Sequence, residues 1–193
     1  MINAGLEAFG TMGYAKTNIK TICCLAGLTQ RYFYESFDQK EELLSAVHRE
    51  LTDELERAAI ALYEDPKCLP LEALSRTLKM FFQHLQQDPR KARIQLFEVR
   101  GVSPKVDREN LAAMHTLAGV VKLFLSRVFP GIHQEALDSS IVSAGLAGSL
   151  MQISTEWVLN GFSPPLDDII AQCLDLFIAV GKHLEGNASP RKK

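Results

Sequence analysis

Apolar residues recur at spacings of three and four along almost the whole chain, and alternation with a period of two is scarce. That spacing lines apolar side chains along one stripe of a helix rather than one face of a strand, so it restricts the chain to an all-α fold. Caps, prolines and glycines cut the pattern into about nine helices.

Leu6 and Phe9 open a first helix that stops at Gly13, and Thr17 stands as N-cap of a second carrying Ile19, Ile22 and Leu25. Ala26-Gly27-Leu28 breaks the second helix, and Thr29 caps a third that runs to Phe37. Asp38 caps the fourth, with Glu41 completing a capping box, and Leu44, Val47, Leu51, Leu55, Ala58 and Leu62 follow on one stripe. Asp65-Pro66 and Pro70 end it and open a fifth with Leu71, Leu74, Leu78, Phe81 and Leu85. Asp88-Pro89 and Ser103-Pro104 each join a cap to a proline at the first helical position. They open a sixth helix to Val99 and a seventh with Leu111, Met114, Ala118, Val121, Leu125 and Val128.

The eighth helix, from about His133 to Asn160, is apolar nearly all round between Ile141 and Ile153, so it must be covered on more than one side. The ninth follows Pro164-Pro165 and carries Ile169, Ile170, Cys173, Phe177, Val180 and Leu184 on one face. Residues 187–193 are polar and basic, and a disordered tail is expected there. Short helices give way to long ones near residues 45–65, which places the functional boundary there, inside a shared helix rather than at a linker.

The formal net charge of -2 announces no nucleic-acid partner, and in residues 1–48 Lys16, Lys20, Arg31 and Lys40 face Glu7, Glu35, Asp38, Glu41 and Glu42. Cys23, Cys24, Cys68 and Cys173 form no C-x-x-C pair and read as buried thiols in a reducing cytoplasm, with a redox sensor as the alternative. The histidines are scattered, and no zincin, nucleophile-elbow, P-loop or dinucleotide-glycine signature is present. No catalytic residue, metal ligand or cofactor is therefore assigned, and the expectation is a protein that is not an enzyme. The apolar run Ile141 to Ile153 falls short of the roughly 20 residues that span a bilayer, and no export signal opens the chain, so a soluble cytoplasmic protein without a membrane partner is expected.

The stretch from Thr17 to Phe37 carries the function. Two short helices meet at Gly27, where the missing β-carbon permits a tight turn. Ile19, Ile22, Leu25, Leu28, Phe33 and Phe37 can build a small core with Leu6 and Phe9. Thr29, Gln30, Arg31, Tyr32 and Tyr34 are left on the outside, a hydrogen-bonding and aromatic cluster suited to the major groove.

At these residues the chain resembles the TetR family of transcriptional regulators. The run Ile2 to Tyr14 looks like that family's first helix, Thr17 matches its threonine before the second, and Ala26-Gly27-Leu28-Thr29 matches its turn. Phe33-Tyr34, Phe37 and Lys40-Glu41-Glu42-Leu43-Leu44 continue the match, and Asp88-Pro89-Arg90 is similar to the entry of the family's sixth helix. The family's first helix usually begins a turn earlier, behind a basic arm, so the chain starts inside the pattern. Arg31 stands where the family often has glycine or another small residue.

The resemblance implies a helix-turn-helix DNA-binding domain over residues 1–48 (motif about 18–37) and a helical effector-binding and dimerisation domain over residues 49–186. Tyr34, Lys40 and Thr17 would hold phosphates, and Thr29, Gln30, Arg31 and Tyr32 would face base edges. A homodimer on a near-palindromic operator would form through helices eight and nine, with Ile141, Ala144, Gly145, Gly148, Ile170, Cys173 and Phe177 as interface candidates. A small-molecule effector that releases a repressor from its operator would lie among Phe81, His84, Gln95, Phe97, Met114, His115, Met151 and Trp157, each of which also reads as plain core or surface. The alternatives are a helical small-molecule-binding protein with a vestigial helix-turn-helix and, behind it, a helical enzyme whose site is assembled in space.

Overall fold

The computed structural model describes residues 1–132 and 141–186, and over these it is helical without strands. The helices are α1 Ile2–Met12, α2 Ile19–Ala26, α3 Gln30–Tyr34, α4 Lys40–Glu64, α5 Pro70–Gln87, α6 Pro89–Arg93, α7 Pro104–Val128, α8 Ile141–Leu159 and α9 Leu166–Gly186, and α6 runs on as a π-helical turn, Ile94–Glu98. The expected start of the eighth helix at His133 and the expected disordered tail lie outside the described residues. The chain divides into two compact units, Met1–Glu54 with His84–Ala113 and Leu55–Gln83 with Met114–Lys193.

The first unit is built around Phe9, Ile22, Phe33, Leu43, Leu44, Ile94 and Val99, all fully buried. Several capping expectations shift by one residue. Asn18, not Thr17, caps α2, its side-chain oxygen accepting from the Thr21 amide at 2.9 Å. Thr17 is buried, and its hydroxyl donates to the Gly13 carbonyl at 2.7 Å and the Ala8 carbonyl at 3.2 Å. Glu42 rather than Glu41 accepts from the Asp38 amide, at 2.8 Å, because the helix opens at Lys40, two residues after Asp38. Thr29 occupies the N-cap position of α3 but makes no capping bond with its side chain.

Gly27 takes the left-handed conformation (φ 66, ψ 28), and the Leu28 amide donates to the Cys23 carbonyl at 3.0 Å, closing α2 and turning the chain toward α3. The expected core loses two members here: Leu25 and Leu28 are 48% and 41% exposed. With eight residues, α2 buries only the stripe of Ile22 and Cys23 with Ile19 and Ala26 beside it. Leu25 lies off that stripe, and Leu28 follows the turn.

Helix α6 is tied closely to α1. Asp88 caps α6 by accepting from the Arg90 amide at 3.1 Å. A β-carbon on Gly10 would lie 2.4 Å from Arg90 Cβ and 2.8 Å from its Cα, so only glycine lets the two backbones approach this far. The Arg90 guanidinium bonds Asp88 and Glu7, and Arg93 donates to Glu98 at 2.7 Å and to the Thr11 carbonyl at 2.7 Å. Glu98 in turn accepts from the Tyr14 amide at 2.7 Å. The π-helical turn, which buries Ile94, Gln95 and Leu96, was not expected from the sequence.

Two histidines of this unit are largely buried. Desolvation pulls His48 below its ordinary 6.5, opposed by Glu109. Burial and then Lys91 pull His84 down, opposed by Glu54, Gln95 and Asp88. A base whose folded pKa is depressed leaves the unfolded chain with more bound protons between that value and 6.5. Stability is then full above the unfolded pKa and falls as the pH drops toward the folded one. The urea midpoint is expected to fall between about pH 7.5 and 5.5, with His48→Gln and His84→Gln each flattening the slope. A slope unchanged in both variants would refute this.

The second unit packs Phe82, Phe124, Leu125, Ala147 and Trp157 at its centre. Leu71 of α5 in this unit and Leu111 of α7 in the first are exposed rather than on the buried stripes. All four cysteines are free: Cys23, Cys68 and Cys173 are buried, but Cys24 is exposed, since adjacent helical positions point in different directions. Among the described residues α7, not the Ile141–Ile153 run, is the helix long and apolar enough to cross a membrane. It spends Val120, Val121, Phe124 and Leu125 on the second unit's core.

Candidate nucleic-acid interface

Five helical residues cannot sustain an isolated helix, so α3 depends on its neighbours. Phe33 supplies the anchor: it is fully buried, with Phe37 at 5.7 Å and Tyr34 edge-on at 5.5 Å between ring centroids. With Phe33 turned inward, Thr29, Gln30, Arg31, Tyr32 and Tyr34 all stay exposed. The two tyrosines are 54% and 55% exposed, which excludes their burial within this chain. Arg31 donates through Nε to Glu35 at 3.0 Å.

Two of the predicted phosphate ligands face the protein instead. The Thr17 hydroxyl is committed to carbonyls, as described above. Lys40 Nζ donates to the Tyr14 and Thr17 carbonyls, each at 2.7 Å, and lies 4.0 Å from the centre of the Tyr14 ring. Desolvation there lowers the lysine's pKa. Both residues brace the loop between α1 and α2 rather than reach outward.

Sequence reasoning overlooked Lys16 and Lys20, exposed on either side of the start of α2. Counting signs along residues 1–48 gave no reason to single them out. Folding also changes the charge balance. Glu7 is paired with Arg90, and Glu42 with Lys105 at 2.6 Å, so cations from α6 and α7 neutralise two of the acids that seemed to outweigh the basic residues. Arg31 offsets a third, Glu35. Long-range pairs of this kind leave no mark in local sequence.

The predicted effector residues belong to both units. In the first unit His84 Nε2 and Gln95 Oε1 meet at 3.0 Å. In the second, Phe81 stacks edge-on against Phe82, while His115 is exposed and faces no core. Trp157 is buried, and its indole nitrogen already donates to the Pro164 carbonyl at 2.7 Å, which removes it as a ligand-orienting donor. A cavity of ≈ 410 Å³ opens where α8 meets α9, lined by Gln152, Glu156, Trp157, Asn160, Gln172 and Cys173 among others. Burial pushes the Cys173 thiol up to about 11.

The interface candidates also divide. Ile170, Cys173 and Phe177 are buried in this chain's own core and so are not surface residues. Their stripe faces inward because α9 has a single apolar face, which its own unit uses. Ile141, Ala144 and Gly145 are exposed on α8, with Gly148 partly so.

A short helix anchored by one aromatic, set after a left-handed glycine turn and presenting polar and aromatic side chains, defines a helix-turn-helix DNA-binding protein. Residues 1–47 match the family model of bacterial regulatory proteins of the tetR family. The fatty acid metabolism regulator protein of Bacillus subtilis is 23% identical over 189 residues, spanning 93% of this chain and 92% of that protein. The fatty acid degradation regulator FadR of Bacillus halodurans has the same fold, with a TM-score of 0.79 at 19% identity over 91% of this chain and 95% of that one. FadR of Bacillus subtilis, solved in complex with stearoyl-CoA, superposes with a TM-score of 0.73 at 19% identity over 91% and 95% of the two chains. Residues 1–47 are thus similar to the DNA-binding region of tetR-family regulatory proteins, and over most of its length the chain is similar to a bacterial transcriptional regulator and shares the fold of such regulators.

Proposed function

We propose that the protein is a cytoplasmic repressor that binds a near-palindromic operator as a homodimer and leaves it when a small-molecule effector binds. The exposed face of α3 over its buried Phe33 anchor carries this reading. Thr29, Gln30, Arg31 and Tyr32 face base edges, Tyr34 faces a phosphate, and the exposed Lys16 and Lys20 add backbone contacts on one flank. Residues 1–48 form the DNA-binding head, and the rest of the described chain serves effector binding and dimerisation. One such head reads only a short half-site, so two copies are needed. The exposed small and apolar face of α8, with α9 beside it, is the surface through which they pair.

The relative crystallised with stearoyl-CoA supports an effector with a long apolar segment. Such a ligand acts by favouring a dimer whose recognition helices no longer match the operator spacing. A gel-shift on the genomic DNA beside the gene tests the DNA reading. Tyr34→Ala and Arg31→Ala are each expected to weaken binding by about tenfold or more, with far-UV circular dichroism unchanged. Affinity should also fall steeply with added salt. Binding indifferent to both substitutions would remove the site assignment.

A further inference from the structure

We propose that Glu35 is a positioning residue that presents Arg31 to the duplex as a two-pronged reader of guanine, so that each operator half-site carries a guanine where Arg31 docks. This rests on the DNA-binding reading above and adds the base that is read and the residue that aims its reader.

Glu35 is the first residue after α3, with helical backbone angles (φ -70, ψ -20), and its amide donates to the Arg31 carbonyl at 3.0 Å. Its carboxylate accepts from Arg31 Nε, also at 3.0 Å. Backbone and side chain thus tie the same two residues together, one helical turn apart. The choice of donor matters. With Nε engaged, Nη1 and Nη2 have no acceptor among the described residues, and these two form the fork that matches guanine O6 and N7. The Arg31 side chain is 86% exposed, so nothing but Glu35 limits where it swings.

A carboxylate on a surface that approaches phosphates opposes binding unless it has a task there. An ion pair this exposed adds little to stability, which leaves its effect on the arginine's direction. The two accounts of Glu35 make opposite forecasts. A plain surface ion pair predicts that removing Glu35 raises affinity for every duplex equally, because a negative charge has gone. A positioning role predicts that general affinity rises while base discrimination falls.

Selection of bound duplexes from a random pool, using the full-length chain, separates them. The wild type is expected to enrich a half-site guanine that Arg31→Ala no longer enriches. Replacing that guanine by 7-deazaguanine, which lacks the N7 acceptor, should weaken the wild type about tenfold, whereas inosine, which keeps O6 and N7, should be tolerated. In Glu35→Ala the deazaguanine penalty should shrink to about twofold or less while affinity for non-specific duplex rises. Glu35→Gln, which keeps an acceptor oxygen, should restore part of the penalty. An undiminished penalty in Glu35→Ala, or a consensus without a guanine that depends on Arg31, overturns the proposal. Failure of the wild type to enrich any duplex would instead sink the DNA-binding reading itself.

Discussion

Truncating Phe33 to alanine is expected to destabilise the first unit by about 3–5 kcal/mol, the cost of removing a fully buried aromatic side chain. The ring is completely enclosed and touches the rings of Tyr34 and Phe37. It shares its cluster with Phe9, Ile22, Leu43 and Leu44, contributed by α1, α2 and α4. A helix of five residues has almost no stability of its own, so losing the anchor also frees the surface that Gln30, Arg31 and Tyr32 present. Since domain stabilities run to about 5–15 kcal/mol, the loss is a large share of the total. Urea unfolding followed by far-UV circular dichroism measures it. On the same helix Tyr32→Ala, at a site 54% exposed, should stay within about 0.5 kcal/mol of wild type. A Phe33→Ala variant that unfolds within about 1 kcal/mol of wild type would show that the recognition helix is held by something else.

The contrast between these two positions shows what the sequence made legible. Inward and outward residues of α3 were separable because one aromatic at the right spacing must be the anchor and the polar positions cannot share its side. The all-helical class and most helix limits followed from caps and prolines at Asp88-Pro89 and Ser103-Pro104, which act within a few residues. Errors arose where the deciding partner lies far away in sequence. Lys40 looked like a phosphate ligand because its draw toward the Tyr14 and Thr17 carbonyls depends on a loop 23 and 26 residues upstream. The acidic look of the head came from counting Glu7 and Glu42 without Arg90 and Lys105. Local competition misled at smaller scale: Asn18 and Thr17 are both good caps, and only the buried bonds of Thr17 decide between them. The π-helical turn, Ile94–Glu98, has no breaker or glycine to announce it.

Trp157→Ala is expected to cost the second unit about 3–5 kcal/mol, as for other buried aromatics. Read from sequence, this residue could have oriented an effector; its surroundings argue for core. The indole is 1% exposed and stands edge-on between Phe82 at 5.3 Å and Phe162 at 5.1 Å. Its single donor is spent on the Pro164 carbonyl, which fixes the segment between α8 and α9 against the end of α8. Trp157→Phe keeps an aromatic body but abandons that carbonyl, and about 1–3 kcal/mol of loss is expected from the unpaired acceptor and the smaller ring. The order wild type, then Phe, then Ala in urea midpoint is therefore the signature of a structural residue. Because Trp157 is the chain's one tryptophan, its fluorescence in the native protein reports on this unit without interference. Emission at short wavelength, resistant to acrylamide, is expected until the unit unfolds. Easy quenching in the folded protein, together with an unchanged midpoint for Trp157→Ala, would return the indole to the lining of an open effector site.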